Sequence, residues 1–379
     1  MSAQSQTNSA STNRVPILAS VAMIVLVIAA LAAIDVFLAK TEQAELQNEA
    51  QQFYLDGSRL LEESKATQAV DRLRRAHALA RQNPDYELEL INALMAAGKL
   101  GEAEPLMNDT LQREPNDGRA NLTAARLMKK ERRTTDAEAY YHRAIYGEWP
   151  SDAATHRISA RMELVDFLVA HGKKQELLAE LLPLQEEAGE NPAIEKRVAH
   201  LFLVAGSASR SAEVYHSLIQ QNPRDVEAYA GLGEAELAQG RYRAAKAAFI
   251  TAFMHRSNDV SLRQRMQLAN MMTTLDPTPR ELSLVEKYRR DLRILDLSRA
   301  SLEHCITSYA NAGSNETQEL LGGAQAALSP KTRARVTDEL AEETLDLAEK
   351  IWQARIKACG TNTSPGEEPL RLLMERLSR

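Results

Sequence analysis

The sequence has few of the residues that build sheets, metal sites and disulfide-rich domains. Only 5% of its 379 residues are aromatic, and it contains 16 Gly, 13 Pro and 2 Cys. Alternating apolar and polar runs, which indicate strands, are nearly absent. The motifs C-x-x-C, H-E-x-x-H, G-x-S-x-G, G-x-G-x-x-G and the P-loop are missing. We therefore expect a non-enzymatic protein that holds no cofactor and no metal ion.

Basic residues are not in excess either. The chain has 46 Lys and Arg against 52 Asp and Glu, a net charge of -6, whereas nucleic-acid-binding domains usually carry a basic excess. We expect no nucleic-acid partner. The abundant residues are Ala, Leu, Glu, Gln and Arg, which favour helices. The length suits two or three compact domains, or one array of units that each pack on their neighbours.

One long apolar run lies near the N-terminus. Residues 15–34 carry no charge, and a further apolar stretch follows Asp35. At about 1.5 Å per residue the run can cross a hydrocarbon core of about 30 Å. We predict a transmembrane anchor over residues 15–39, in contact with the lipid bilayer, after a disordered polar tail over residues 1–14. A cleaved signal peptide is the alternative, which the length of the run disfavours.

The orientation of this anchor does not follow from the flanking charges. Arg14 lies on one side, and Lys40 and Arg59 lie on the other. An N-terminal signal anchor usually leaves a short tail in the cytoplasm, and two cysteines suit an oxidising compartment. We therefore expect a single-pass membrane protein with a cytoplasmic N-terminus and a translocated, periplasmic domain in a bacterial envelope.

The segment 226–259 is the clearest internal repeat. Small residues stand where two helices would cross closely, and larger apolar residues fill the adjoining gaps. The residues of this pattern are Tyr229, Leu232, Gly233, Gly240, Tyr242, Ala245, Phe249 and Ala252. With its period of 34 residues, the pattern resembles the tetratricopeptide repeat (TPR) family. The neighbouring Gly231 and Gly233 form G-x-G, but their helical spacing makes them helix-crossing residues instead of a nucleotide site.

Weaker copies of the repeat precede this segment. The unit 152–191 departs most, because leucines stand where small residues are expected. The resemblance implies an all-α protein, a right-handed TPR superhelix (α-solenoid) over residues 40–259; an ordinary helical bundle with an accidental period is the alternative. The predicted repeats are 50–83, 84–117, 118–151, 152–191, 192–225 and 226–259.

The repeat pattern does not continue after residue 259. We predict a capping helix over 260–278, a long helical hairpin over 279–359, and a linker with a short helix over 360–379. The hairpin's first helix has an apolar seam with 3-4 spacing, ending at Ile306 and Tyr309, and its partner helix over residues 331–358 should lie antiparallel to it. The seam residues are Val285, Tyr288, Leu292, Leu295, Arg299, Leu302, Ile306 and Tyr309. A homodimeric coiled coil through residues 279–312 is the alternative.

The two cysteines fall within this region. Cys305 lies near the end of the first long helix and Cys359 just after the second. A disulfide between them would close a loop of roughly 50 residues. Two buried, reduced thiols are the alternative.

The TPR resemblance also implies a concave groove that holds a peptide or a partner helix. Its lining residues come from the second, fifth, ninth, twelfth and thirteenth positions of each unit. Basic residues among them would clamp the carboxylates of an acidic peptide, although Asp166 and the neighbouring Glu163 neutralise this strip in part. The family's set for C-terminal carboxylates does not match, because Leu88 and Thr123 occupy two of its places. The candidates are Asn92, Met95, Arg119, Arg126, Lys129, Lys130, Asp166, Lys196 and His200.

The function implied is that of a membrane-tethered scaffold for protein–protein interaction, in envelope complex assembly, secretion or biogenesis. A regulator or chaperone of a membrane-associated machine, facing the cytoplasm, is the alternative. A solvated face in place of a groove also remains open.

Overall fold

The computed structural model describes residues 14–189, 191–308, 313–329, 336–361 and 364–378, and these residues are almost entirely helical. The predicted all-α fold is confirmed. The residues numbered 1–13 in the predicted tail, Tyr309 of the predicted seam, and residues 331–335 of the predicted second long helix lie outside the described residues. The chain forms two compact units, Met1–Phe167 and Leu168–Arg379.

Seven helices begin in unit 1, and the first six pack mainly on their neighbours in sequence, as expected for stacked repeats. They are α1 (Arg14–Glu62), α2 (Ala66–Leu79), α3 (Pro84–Ala96), α4 (Leu100–Arg113), α5 (Gly118–Lys130), α6 (Thr134–Tyr146) and α7 (Ala153–Ala170).

Ten helices begin in unit 2 within the described ranges. They are α8 (Lys174–Ala188), α9 (Pro192–Val204), α10 (Ala208–Gln221), α11 (Val226–Ala238), α12 (Tyr242–His255), α13 (Val260–Leu275), α14 (Leu284–Ser308), α15 (Asn315–Leu328), α16 (Asp338–Cys359) and α17 (Glu368–Leu377). The short 3-10 turn Pro365–Glu367 precedes α17.

Polar caps fix where the first helix of a pair begins. Each capping side chain accepts a hydrogen bond from a backbone N–H two or three residues later, which typically stabilises a helix by about 1 kcal/mol. α3, α5, α9 and α11 therefore begin at the first residues of four of the predicted repeats. The capping residues are Asn83, Asp117, Asn191, Asp225 and Asp259.

The apolar run and the first helix of the repeat array form one helix, α1. The prediction separated residues 15–39 from the unit that begins at residue 50. No Gly or Pro interrupts the chain between them, so nothing ends the helix. Its side chains are exposed from Met23 onward, and Ala50 is the first buried one. Among the described residues, this is the one helix that is long and apolar enough to cross a membrane, with a mean hydropathy of 2.4 in its most apolar window.

The glycines of α11 are closely packed, as their spacing predicted. The Tyr215 ring lies against Gly231, and a methyl group on Gly233 would come within 2.6 Å of the Phe249 ring. Phe249 is 1% exposed, so its ring has little room to move.

Gly233→Ala should therefore destabilise unit 2 by about 1–3 kcal/mol, the usual cost of overpacking, even though alanine is the better helix former. Gly322→Ala in α15 is the matched control, because a methyl group there meets open space, and it should stabilise the helix by up to about 1 kcal/mol. Chemical denaturation of both variants measures the difference. Equal effects of the same sign would contradict the close helix crossing.

The region after α13 differs from the predicted hairpin. A third helix, α15, lies between the two long ones and is started by a capping box of Ser314 and Thr317. α14 packs along α16, and a disulfide joins Cys305 and Cys359 at the C-terminal ends of these helices, with Cα atoms 6.2 Å apart. The two long helices therefore run parallel. The antiparallel prediction is wrong, because α15 returns the chain to the starting end.

The apolar seam of α14 is covered within the chain around Leu295 and Leu302, whereas Val285 at its start is 55% exposed. Leu295 and Leu302 are 0% exposed and share a core cluster with Ile351 and Trp352 of α16. A homodimeric coiled coil through residues 279–312 would need this seam to be exposed. The packing within the chain therefore argues against that alternative.

Candidate functional site

Arg119 does not project freely from the first-helix face of unit 1. It forms an ion pair with Asp85 of α3, and its Nη2 lies 2.9 Å from Oδ2 of Asp117. Burial favours the neutral form of Asp117, but hydrogen bonds from the Arg119 side chain and the Ala120 N–H outweigh it and lower the pKa of this carboxyl. Arg119 thus links two neighbouring first helices.

Arg126 makes the next link, from α5 to α7. Its Nε donates to Oε2 of Glu163 over 3.0 Å, and Nη2 pairs with the other carboxylate oxygen, which is the bidentate geometry of a strong Arg–carboxylate pair. The hydrogen bond to Glu163 raises the pKa of Arg126. Behind this pair lies Tyr141, 0% exposed, whose pKa burial raises to about 12. Asp166 lies nearby on the exposed side of α7.

The other candidates of unit 1 fall into three environments. Lys129 and Lys130 are exposed at the end of α5, and neither has an ion pair within the described ranges. Asn92 is half-buried, and its Nδ2 donates to Oε2 of Glu89 over 3.2 Å. Met95 is 5% exposed and belongs to the core. Its assignment to the groove lining is therefore corrected, because a buried thioether has almost no surface to offer a partner.

Unit 2 repeats the pairing of cations with carboxylates. Lys196 Nζ lies 2.7 Å from Oε2 of Glu227 and 3.4 Å from Oδ2 of Asp225, and the hydrogen bond to Glu227 raises its pKa. Arg265 Nε lies 2.8 Å from Oε1 of Glu234. His200 is exposed one helical turn after Lys196.

The ion pairs of the two units have one arrangement in common. In each, a cation on one first helix bonds a carboxylate on an adjacent first helix. Arg119, Arg126 and Lys196 of the predicted basic strip are therefore each paired with a carboxylate within the chain. The cations left for an acidic partner on the predicted lining are Lys129 and Lys130.

An aromatic pair on the same face was not predicted. The rings of Tyr54 on α1 and Tyr86 on α3 stack with centroids 4.8 Å apart. Burial and then the charge of Glu89 raise the pKa of Tyr54. Tyr54 is the fifth residue of the predicted unit 50–83, so the register that selected the other candidates would also have selected it.

Each unit of the described chain has a groove on its surface. One, of about 730 Å³, lies between α1 and the start of α3 and is mostly polar, with Gln47, Arg81 and Tyr86 in its wall. The other, of about 860 Å³, lies among α15, α16 and α17, with acidic side chains at its edge. No group of three His, Cys, Asp or Glu side chains in the described chain could hold a metal ion.

Comparison with known proteins identifies the repeat. The tetratricopeptide repeat family model matches residues 60–127, 94–148 and 203–267. The chain contains tetratricopeptide repeats. TPR domains typically act as scaffolds for protein interaction. No curated protein matches the sequence.

Several solved structures match parts of this chain. PilF of Pseudomonas aeruginosa has 11% sequence identity over 58% of this chain and 97% of its own, with a TM-score of 0.40. PilW, a type IV pilus biogenesis factor, has 13% identity over 56% of this chain and 96% of its own, with a TM-score of 0.40. YrrB, a TPR protein with an unusual peptide-binding site, has 12% identity over 52% and 97%, with a TM-score of 0.39.

Proposed function

We propose that the chain is a membrane-tethered TPR scaffold that binds a peptide or helix of another protein on the first-helix face of unit 1. One observation carries this proposal. The helix that begins the TPR array is the same helix, α1, whose apolar side chains between Met23 and Leu38 are 51–69% exposed. An apolar surface of this length needs a lipid or protein environment.

The continuity of α1 favours a short, stiff connection to the bilayer. Residues 40–49 form exposed helix before the first packed residue, Ala50. Ten residues of helix span about 15 Å. The first repeat would therefore stay close to the lipid headgroups, and a partner in the same membrane would be within reach. This placement suits assembly, secretion or biogenesis of an envelope complex.

The partner surface that we propose combines three features of unit 1. Tyr54 and Tyr86 supply a stacked aromatic pair, Asn92 supplies a half-buried amide, and Lys129 and Lys130 supply exposed positive charge. Aromatic and amide groups bind an extended peptide or helix with little loss of side-chain entropy, and the lysines favour a partner with acidic residues. The repeats within residues 50–259 form the scaffold that presents them.

The translocated orientation is part of the same proposal. The disulfide between Cys305 and Cys359 suits an oxidising compartment such as the periplasm. We expect no activity from a reporter that works only in the cytoplasm when it is fused after residue 378. Activity of that reporter would favour a cytoplasmic scaffold and reverse the orientation, while leaving the protein-binding surface in place.

Charge reversal at Lys130 tests the partner surface. Lys130→Glu should reduce capture of the partner from solubilised membranes at least about tenfold, because one lost and one repelling contact together cost about 1.4 kcal/mol or more. Arg143→Glu on α6 is the control, since it makes the same charge change on an exposed second-helix residue. Quantitative mass spectrometry of both captures gives the ratio. Equal capture by the two variants would show that the lysines form only a solvated face.

A further inference from the structure

The helix α17 is a short amphipathic segment that covers part of unit 2. Its ten residues bury Pro369, Leu370, Leu373 and Met374, and Leu373 is 0% exposed. Leu370, Leu373 and Met374 join an apolar cluster with residues of α13 and α14. α17 therefore contacts the rest of unit 2 through apolar side chains at positions i, i+3 and i+4, the spacing with which amphipathic helices dock into grooves.

Ion pairs hold both ends of α17 against the rest of unit 2. At its start, Glu368 Oε1 lies 3.2 Å from Nη1 of Arg265, which also pairs with Glu234 of α11. Near its end, Arg376 Nη1 lies 2.9 Å from Oδ2 of Asp276. Burial raises the pKa of Glu234, so the arginine that bridges the two glutamates also reduces the cost of burying this carboxyl.

The surface under α17 includes the face that the TPR register assigns to partners. Glu234 and Leu237 are the ninth and twelfth residues of the unit 226–259, and Leu237 packs against the same apolar cluster as α17. The Arg376 guanidinium fills the space beside Gly240, where an added Cβ would meet its Cζ at 2.7 Å. It also lies 5.2 Å from the ring centroid of Tyr242. The last repeat thus has a helix on its predicted partner face.

We propose that the surface formed by α11, α13 and α14 is a binding site for a short amphipathic helix, which α17 occupies within the same chain until a partner helix of the same pattern displaces it. The pattern is an acidic residue in the first turn, apolar residues as at Leu370, Leu373 and Met374, and an arginine two turns after the acid. The inference rests on the proposed scaffold function and adds a second, regulated site to it.

The contacts around α17 allow exchange without unfolding unit 2. A ten-residue helix is too short to be stable by itself, and the ion pair of Glu368 with Arg265 is 40% exposed on both sides and contributes little. The pair of Arg376 with Asp276 is the stronger of the two, because the Asp276 side chain is 5% exposed. The segment before it is held separately. Glu367 accepts hydrogen bonds from Ser301 and from the N–H of Ser364, and it pairs with Arg355 of α16 over 3.5 Å. α17 can therefore leave while Glu367 stays in place.

A labelled peptide of residues 366–378 tests the proposal on the full chain in detergent. The doubly reversed chain, Glu368→Arg with Arg376→Glu, places like charges against Arg265 and Asp276 and should release its own α17. We expect the peptide to bind this variant at least tenfold more tightly than the unchanged chain. A peptide with Leu373→Asp is the control and should bind neither. Equal binding to both chains, or binding to neither, would overturn the proposal.

A charge-exchange variant and a hydrogen-exchange measurement distinguish specific binding from misfolding of the variant chain. A chain with Arg265→Glu should prefer a peptide with Glu368→Arg over the unchanged peptide, which a merely unfolded surface would not do. Hydrogen exchange of the unchanged chain should be faster in α17 than in α13 and α14; equal protection would contradict an exchangeable helix. A dimer that exchanges α17 between two copies would contradict occupancy within one chain. Failure here would leave capture through Lys130 unaffected, so the two proposals are tested separately.

Discussion

Replacing Cys305 and Cys359 together by alanine should lower the free energy of unfolding of unit 2 by about 4 kcal/mol. The disulfide spans 54 residues, and in the chain-entropy model a loop of this length restrains the unfolded chain by about that amount. Cys305 is 3% exposed within the core around α14 and α16, so alanine keeps the packing apolar. The result would be a large fall in the denaturation midpoint of this unit alone.

The measurement needs a probe that is specific for unit 2. The chain has two tryptophans, so a Trp149→Phe background leaves Trp352 of α16 as the single reporter. A reducing agent should lower the midpoint of the parent chain by as much as the double substitution does, and it should not affect the double variant. If mass spectrometry of the native protein found both thiols free, the disulfide and the argument for an oxidising compartment would both fail.

Replacing Asp291 by asparagine should stabilise unit 2 at neutral pH and leave it unchanged in acid. Asp291 is 0% exposed on α14, and neither carboxylate oxygen has a hydrogen-bond partner in the described chain. Burial raises its pKa from 3.8 to about 6, while Lys287 opposes this shift only partly. The folded state therefore retains a proton that the unfolded chain has lost.

The sign of the pH dependence follows from this difference. The free energy of unfolding of unit 2 is greatest below about pH 4, where Asp291 is protonated in both states. It falls as the pH rises from about 4 to about 6, because the unfolded chain loses this proton first. The loss amounts to at most about 3 kcal/mol. An asparagine side chain carries no charge at any pH, so Asp291→Asn should gain up to that amount at about pH 8 and nothing at about pH 4, in urea denaturation followed through Trp352. A gain independent of pH would show that ionisation of Asp291 is not its cause.

Local packing rules predicted much of the helical array from the sequence. Gly233 and Phe249 stand at spacings that two crossing helices require, and the structure brings them into contact. The polar caps at Asp117 and Asp225 depend on residues only two or three positions away. Such features are set within one helix pair, so a sequence pattern is enough to find them.

Contacts between pairs could not be predicted in the same way. Arg126 of α5 bonds Glu163 of α7, which is 37 residues away in the sequence. The spacing identified Arg126 as lining and Glu163 as a charge beside it, but it did not determine whether they would bind each other or a ligand. The parallel course of α14 and α16 was missed because the weak apolar pattern of α15, with Gly322 and Gly323 inside it, did not stand out as a helix.

The most direct test of the scaffold is site-specific photo-cross-linking in intact cells. A photoreactive amino acid at position 130, on the first-helix face of unit 1, is compared with one at Gln112, an exposed residue of the second helix α4. We predict protein adducts at position 130 in the membrane fraction that are absent at position 112. The same adducts at both positions, or none at position 130 in chains that are inserted in the membrane, would contradict a tethered scaffold that binds its partner on this face.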